Sequence, residues 1–117
     1  MRNYKELKIW QRAMQIGKET YAIVNTLPSV EGYGLRSQMT RSAVSISSNI
    51  AEGSSRSSDK EFSRFLQIAL GSCFELETQL ILTKELGLVD IKKSDMLLES
   101  ILEEQKMISG FLKKLKD

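Results

Sequence analysis

Apolar residues recur along this chain at helical spacing almost from end to end. Leu7, Trp10, Met14, Gly17, Tyr21 and Val24 step by 3, 4, 3, 4 and 3. This heptad-like seam predicts a first helix from about Tyr4 to Leu27. Pro28 ends it, because the residue before a proline is disfavoured in the helical region. Residues 28–34 form the first connection. Leu35, Met39, Ala43, Ile46 and Ile50 share one face of a second helix, from about Leu35 to Glu52, with Gly53 expected as a left-handed stop. Eight serines fall within residues 42–58, a composition that ordinarily reads as loop. The interleaved Val44, Ile46 and Ile50 argue for helix instead. The stretch from Ser42 to Ser48 therefore reads as a small-residue face that can approach a neighbour closely, and residues 54–58 as the connection.

Ser58-Asp59-Lys60-Glu61 has the form of a capping box and opens a third helix, from about Asp59 to Leu86. Phe62, Phe65, Leu66, Ala69, Cys73, Leu76, Leu80 and Thr83 line one face of it, while Leu70, Phe74 and Ile81 lie off that face. A second apolar stripe marks either a central helix or one that carries another interface. Gly87 ends it. Asp90 or Ser94 caps a fourth helix reaching about Leu115, with Leu98, Ile101, Gln105, Ile108, Leu112 and Leu115 as its seam. Four helices of roughly 18 to 28 residues span about 27 to 42 Å each. Joined by short connections, they predict an all-α, antiparallel up-down-up-down four-helix bundle, with residues 1–117 as a single domain.

Composition narrows the chemistry. Of 117 residues, 41% are hydrophobic and 27% charged, as in a globular chain. There is no histidine and one cysteine, Cys73. Histidine-based triads and histidine general bases are thereby excluded, as are Glu-x-x-His di-metal bundle sites and internal disulfides. No metal or cofactor is expected, and no small-molecule substrate is evident. No stretch approaches eighteen uninterrupted apolar residues and no signal peptide is visible, so the expectation is a cytoplasmic protein with no membrane partner. The formal charge is +2, split into +4 over residues 1–60 and −2 over residues 61–117.

Candidate sites are few. Cys73 lies among Ala69, Phe74 and Leu76, which suits a buried structural thiol better than a thiolate nucleophile. The carboxylate pairs Glu75/Glu77 and Glu103/Glu104 are too close in sequence to share a helix face and read as solvated. Trp10 and Tyr21 fall on the apolar seam and read as core, although Lys8 and Arg12 beside Trp10 would also suit a nucleic-acid stacking platform. Arg36, Arg41, Arg56, Lys60 and Arg64 cluster around the second connection, either as a phosphate-contacting surface or as a solvated face. Lys113, Lys114 and Lys116 suit the negative end of the last helix dipole. Glu52 opposes the dipole at the end of the second helix, with Asn49 one turn earlier. The expected reason is a tertiary pair between Glu52 and an arginine such as Arg41 or Arg56, within the chain or across a subunit contact.

The stretch Arg41-Ser42-Ala43-Val44-Ser45-Ile46-Ser47-Ser48-Asn49-Ile50-Ala51-Glu52-Gly53 resembles the signature of a family of bacterial four-helix-bundle proteins. The family includes those encoded in intervening sequences of 23S rRNA genes. Leu7, Trp10 and Ala13 resemble its opening helix. Pro28, Glu31, Gly34-Leu35 and Gln38 resemble its entry to helix two. Phe65-Leu66, Ala69, Gly71-Ser72 and Glu75-Leu76 resemble its third helix. Helix four matches in its period alone. The resemblance implies a homopentamer of bundles forming a barrel with a central channel. It also implies similarity in fold to the accessory variability protein of diversity-generating retroelements, a basic pentamer that associates with a reverse transcriptase and with nucleic acid. The resulting expectation is a non-enzymatic homo-oligomeric accessory protein that binds RNA, a ribonucleoprotein or a nucleic-acid enzyme. Arg36, Arg41, Arg56, Lys60 and Arg64 would contact phosphates, and Asn49, Glu52 and Gly53 would serve structure or assembly. The alternative is a protein-binding oligomeric scaffold without nucleic-acid activity.

Overall fold

The computed structural model describes residues 2–31 and 34–116, so Gly32 and Tyr33 of the first connection lie outside the described residues. The described residues form four α-helices and no strand: α1 (Lys8–Val24), α2 (Leu35–Ser54), α3 (Asp59–Glu85) and α4 (Ile91–Lys116). Short 3-10 turns at Tyr4–Glu6 and Ser29–Glu31 precede α1 and α2. The helices pack in a ring, α1 on α2, α2 on α3, α3 on α4 and α4 back on α1. Short connections make successive helices antiparallel. The bundle measures 44 × 23 × 20 Å, and the four-helix bundle expected from the apolar spacing is the fold.

Local chemistry sets the helix ends. The Asn3 side chain accepts from Lys5 N at 3.3 Å and Leu7 is extended, so the first α-helix starts at Lys8 rather than Tyr4. It also stops earlier than Pro28 requires, at Val24, leaving Leu27 free to turn inward and be buried. Ser58 Oγ accepts from Glu61 N at 3.1 Å and opens α3. Asp90, rather than Ser94, caps α4, accepting from Lys93 N at 2.9 Å. Gly87 adopts φ +71° after α3, as its place after the last apolar residue predicts.

The serine-rich α2 is helical because Met39, Ala43, Ile46 and Ile50 bury one face, and its hydroxyls are satisfied by bonding backwards along the same helix. Ser54 Oγ donates to Ala51 O at 2.6 Å and Ser47 Oγ to Val44 O at 3.3 Å. Other small groups bring α3 close: Ser45 Oγ and Ser72 Oγ are 2.8 Å apart, and Ser42 Oγ donates to Glu75 Oε1 at 3.3 Å. Gly53 is not the expected left-handed stop. The helix runs through it to Ser54, and glycine is required there by proximity: a Cβ would lie 2.6 Å from Phe65 Cβ and 2.9 Å from Phe62 Cδ1.

The core runs through all four helices, with Ile16, Met39, Ile46, Phe62, Leu76 and Ile101 fully buried. In α1 the buried residues are Ile9, Ala13, Ile16, Thr20, Ile23 and Val24, so the expected seam is met at Val24 and the rest of the buried stripe lies one step round from it. Leu7 and Trp10 are half-buried against the core, but Met14 and Tyr21 stand 38% and 49% exposed. Two parallel stripes exist in this segment, and the one with the small Ala13 and Thr20 lets the neighbouring helices approach. In α4 Ile101 and Ile108 are buried as expected, but they are joined by Leu97 and Glu104, leaving Leu98 and Gln105 half-buried at the edge. By length and composition α3 is also apolar enough to cross a bilayer, with mean hydropathy 1.2 over eighteen residues. A core helix meets the same criterion, and the Phe62, Leu66, Ala69, Cys73, Leu76 and Leu80 stripe of α3 is taken up by the bundle.

Gly53→Ala is expected to destabilise the protein by about 1–3 kcal/mol through overpacking, whereas Gly110→Ala, whose Cβ would meet nothing within 4 Å, should stabilise it by up to about 1 kcal/mol. Urea unfolding of the two variants beside the parent chain checks both signs.

Candidate nucleic-acid interface

The five cations expected to meet phosphate are distributed along the whole bundle. Arg36 lies at the start of α2, half-buried, and donates to Leu27 O at 2.9 Å, so it ties the first connection to the helix that follows. Arg41 is exposed. The Ser42–Glu75 bond places Arg41 level with the middle of α3, about 22 Å along the axis from Lys60 at 1.5 Å per residue. Arg56 bonds Glu52 Oε2 at 3.1 Å and lies over the Phe65 ring, 4.8 Å from its centroid. Lys60 and Arg64 are exposed, one turn apart on α3. The structure therefore brings Arg56, Lys60 and Arg64 to one end of the bundle and leaves Arg36 and Arg41 away from them.

That end is where α2 finishes, α3 begins and α4 finishes. The antiparallel course brings Lys116 of α4 to the hollow lined by Lys60 and Arg64, and Lys113 to the hollow that adjoins it. Sequence reasoning assigned these lysines to the helix dipole, and their i, i+3 spacing on one face was the available signal for more. Asn49 works inside the chain: its Nδ2 donates to Ser45 O at 2.8 Å and Ser45 Oγ at 3.0 Å, extending the Ser45–Ser72 contact along α2. Glu52 pairs with Arg56, one of the two arginines expected, but the pair is an exposed local i, i+4 contact at the end of α2 rather than the tertiary pair expected. Gly53 is the close contact between α2 and α3. Tyr21 is exposed where core was expected, and Trp10 packs its edge on Tyr4 at 5.3 Å.

The interior holds an unexpected group. Glu104, read as solvated from its sequence neighbours, has no solvent exposure, and both carboxyl oxygens lack a hydrogen-bond partner among the described residues. It occupies the core side of α4, one turn from Ser100 and Met107. Those two residues border a hollow of about 410 Å³ against Lys8, Arg12 and Ile16 of α1. Burial pushes its carboxyl up to about 8, a rise that the Arg12 guanidinium opposes. Cys73 is buried on α3, and its thiol is pushed up to about 12, first by burial and then by the charges of Glu104 and Glu77. That setting is the opposite of an activated thiolate. Glu77 accepts from Gln105 Nε2 at 2.8 Å between α3 and α4. Among the described residues no group of three Cys, Asp or Glu side chains could hold a metal ion.

The fold and its sites define an antiparallel four-helix bundle with a polar, closely packed α2–α3 contact and a cation-bearing end. The chain belongs to the 23S rRNA-intervening sequence protein family, whose model matches residues 5–110. A crystal structure of a protein with unknown function from the S23 ribosomal protein family of Bacteroides thetaiotaomicron is similar in fold. Its TM-score is 0.83 at 21% identity, covering 90% of this chain and 98% of that one. Among curated proteins none matches the chain.

Folded Glu104 keeps its proton to about pH 8, while the unfolded chain releases it near the ordinary value of 4.5. Between those values the folded state holds the extra proton, so stability falls as pH rises, by up to about 1.4 kcal/mol per unit, and levels off above the folded value. Glu104→Gln should flatten this slope and be the more stable chain at alkaline pH. Urea midpoints measured between about pH 5 and pH 9 would show this, and parallel slopes in the two chains would refute it.

Proposed function

We propose that this protein is a non-enzymatic, homo-oligomeric accessory protein that engages RNA or a ribonucleoprotein through its outward cations. The observation that carries the reading is the outer face of α3. Ile68, Phe74, Ile81 and Leu82 are exposed there, around Gly71. A mid-helix glycine costs about 1 kcal/mol relative to alanine, and at Gly71 an added Cβ would meet nothing within 4 Å. Packing inside one chain does not account for that glycine or for the apolar residues beside it. The approach of another copy does. On the far side of the ring, Gly17 is set the same way among exposed Met14, Tyr21 and Val44. Two apolar faces on opposite sides suit assembly of each copy onto the next, and a pentamer is what the family resemblance implies.

The RNA half of the reading rests on Lys60 and Arg64, which are exposed, and on Arg41; Arg36 and Arg56 serve the fold through Leu27 and Glu52. The absence of chemistry rests on Cys73 and Glu104, both buried with their neutral forms favoured. The protein-scaffold alternative is favoured by the apolar lining of the α1–α2 hollow formed by Met14, Gly17, Tyr21 and Val44, where a partner chain could sit.

Light scattering is expected to give five times the chain mass for the parent protein and a smaller species for Phe74→Glu; a monomeric parent would refute assembly. RNA affinity should fall steeply with salt, since each neutralised phosphate releases counterion. An oligomer that ignores RNA at low salt would leave the scaffold reading in place of the first.

A further inference from the structure

Lys60, Ser63, Arg64 and Gln67 follow i, i+3, i+4, i+7 spacing and so share one face of α3. Ser109, Lys113 and Lys116 share one face of α4 in the same way. The helices run antiparallel, and these faces meet. Two adjoining hollows of about 520 and 440 Å³ have Ser63, Gln67 and Lys116 as common walls, so they form one groove along the end of the bundle. Seven residues of helix make it about 10 Å long.

Its charge is one-sided. The ion pairs among the described residues, Arg2–Asp59, Arg56–Glu52 and Lys84–Asp95, involve none of Lys60, Arg64, Lys113 and Lys116. The acid that borders the groove, Asp59, is held by Arg2. The dipole of α4 explains why lysines end that helix, but not why two of them share the face that meets Lys60 and Arg64. Gly110 adds a second observation. It borders the groove, and an alanine methyl there would meet nothing within 4 Å, so internal packing does not call for glycine; its absence of a side chain leaves the wall low and the backbone bare.

We infer that this α3–α4 groove binds the sugar–phosphate backbone of a single RNA strand, with Lys60, Arg64, Lys113 and Lys116 on the phosphates. The inference rests on the RNA reading above and gives it a place. Four cations facing each other across a channel follow a flexible strand, as basic grooves for single strands do. A bilayer presents a flat headgroup plane that cannot enter a channel between two helices. Ser63, Gln67 and Ser109 both donate and accept hydrogen bonds, which suits ribose 2′-hydroxyls as well as phosphate oxygens. Among the described residues no aromatic ring borders the groove, so base stacking contributes nothing and the binding is tolerant of sequence.

The test titrates labelled oligouridine with the parent protein and three variants of unchanged mass and helicity: Lys113→Gln/Lys116→Gln, Lys60→Gln/Arg64→Gln, and, as the control outside the groove, Lys92→Gln at the exposed far end of α4. The parent chain should show a slope of log affinity against log salt near −3 per groove, from about 0.7 per phosphate contact. Each groove variant should lose about tenfold or more in affinity at low salt and roughly half the slope, with Lys92→Gln close to the parent. Parent binding that survives both groove variants overturns the groove and leaves the RNA reading standing. A parent chain that binds no RNA overturns both. Loss of binding to phosphatidylserine vesicles or polyglutamate in the same variants, with RNA unaffected, assigns the groove to another anion and overturns the inference.

Discussion

The close approach of α2 to α3 is the contact on which the rest of the molecule depends. Gly53 admits the Phe65 and Phe62 side chains where any Cβ would collide. Further along, Ser45 meets Ser72 through their hydroxyls, and Asn49 holds Ser45 from the same helix. Small groups carry this contact, so backbone approaches backbone and many weak dispersion contacts form at once. The polar atoms involved satisfy each other, which removes the cost of burying them. With one flank of α3 committed to α2, the other to α4 and its Phe62–Leu80 stripe to the core, its outer surface has no partner among the described residues. That geometry exposes Phe74 and Ile81, and it turns Lys60 and Arg64 outward beside the end of α4.

Charge is organised by the ends of the bundle rather than by the halves of the sequence. The first sixty residues are basic and the remainder acidic when counted along the chain. Antiparallel packing regroups them: the end of α4 lies against the start of α3, so lysines of the acidic half join cations of the basic half. Among the described residues the one charge-bearing side chain fully buried is Glu104, and burial favours its neutral form, which is how a carboxyl is tolerated where no described hydrogen-bond partner reaches it. Arg12 on the facing helix moderates that effect without closing an ion pair. The interior thus holds a protonated acid and an inert thiol, and the chemistry available to partners is on the surface: apolar faces on α1–α2 and on the outside of α3, and cations at one end.

The helical period, the breaks at Ser58 and Gly87, and the family signature from Arg41 to Gly53 were legible in the sequence, whereas α1 ends at Val24, before the stop expected at Pro28, and the last cap was left between Asp90 and Ser94. Each depends on neighbours within a few residues: backbone hydrogen bonding, capping and the steric effect of proline act locally, and they suffice for four helices and their order. What they leave open is rotation about each helix axis. In α1, Trp10, Met14 and Tyr21 form a stripe as regular as Ile9, Ala13, Ile16 and Thr20; the second is buried because its small members let helices pack closely. In α4 Ile101 and Ile108 are buried as expected, but Glu104 joins them inward and Gln105 is left at the edge with Glu77. Gly53 shows the limit most directly. A glycine near a helix end reads locally as a stop, and only the facing Phe65 reveals it as a point of contact. The sequence by itself determined which segments are helical and to which family they belong, because those are questions of local energy and pattern. Tertiary structure alone decided which faces are buried and which cations stand together, because that choice belongs to the packing of distant residues.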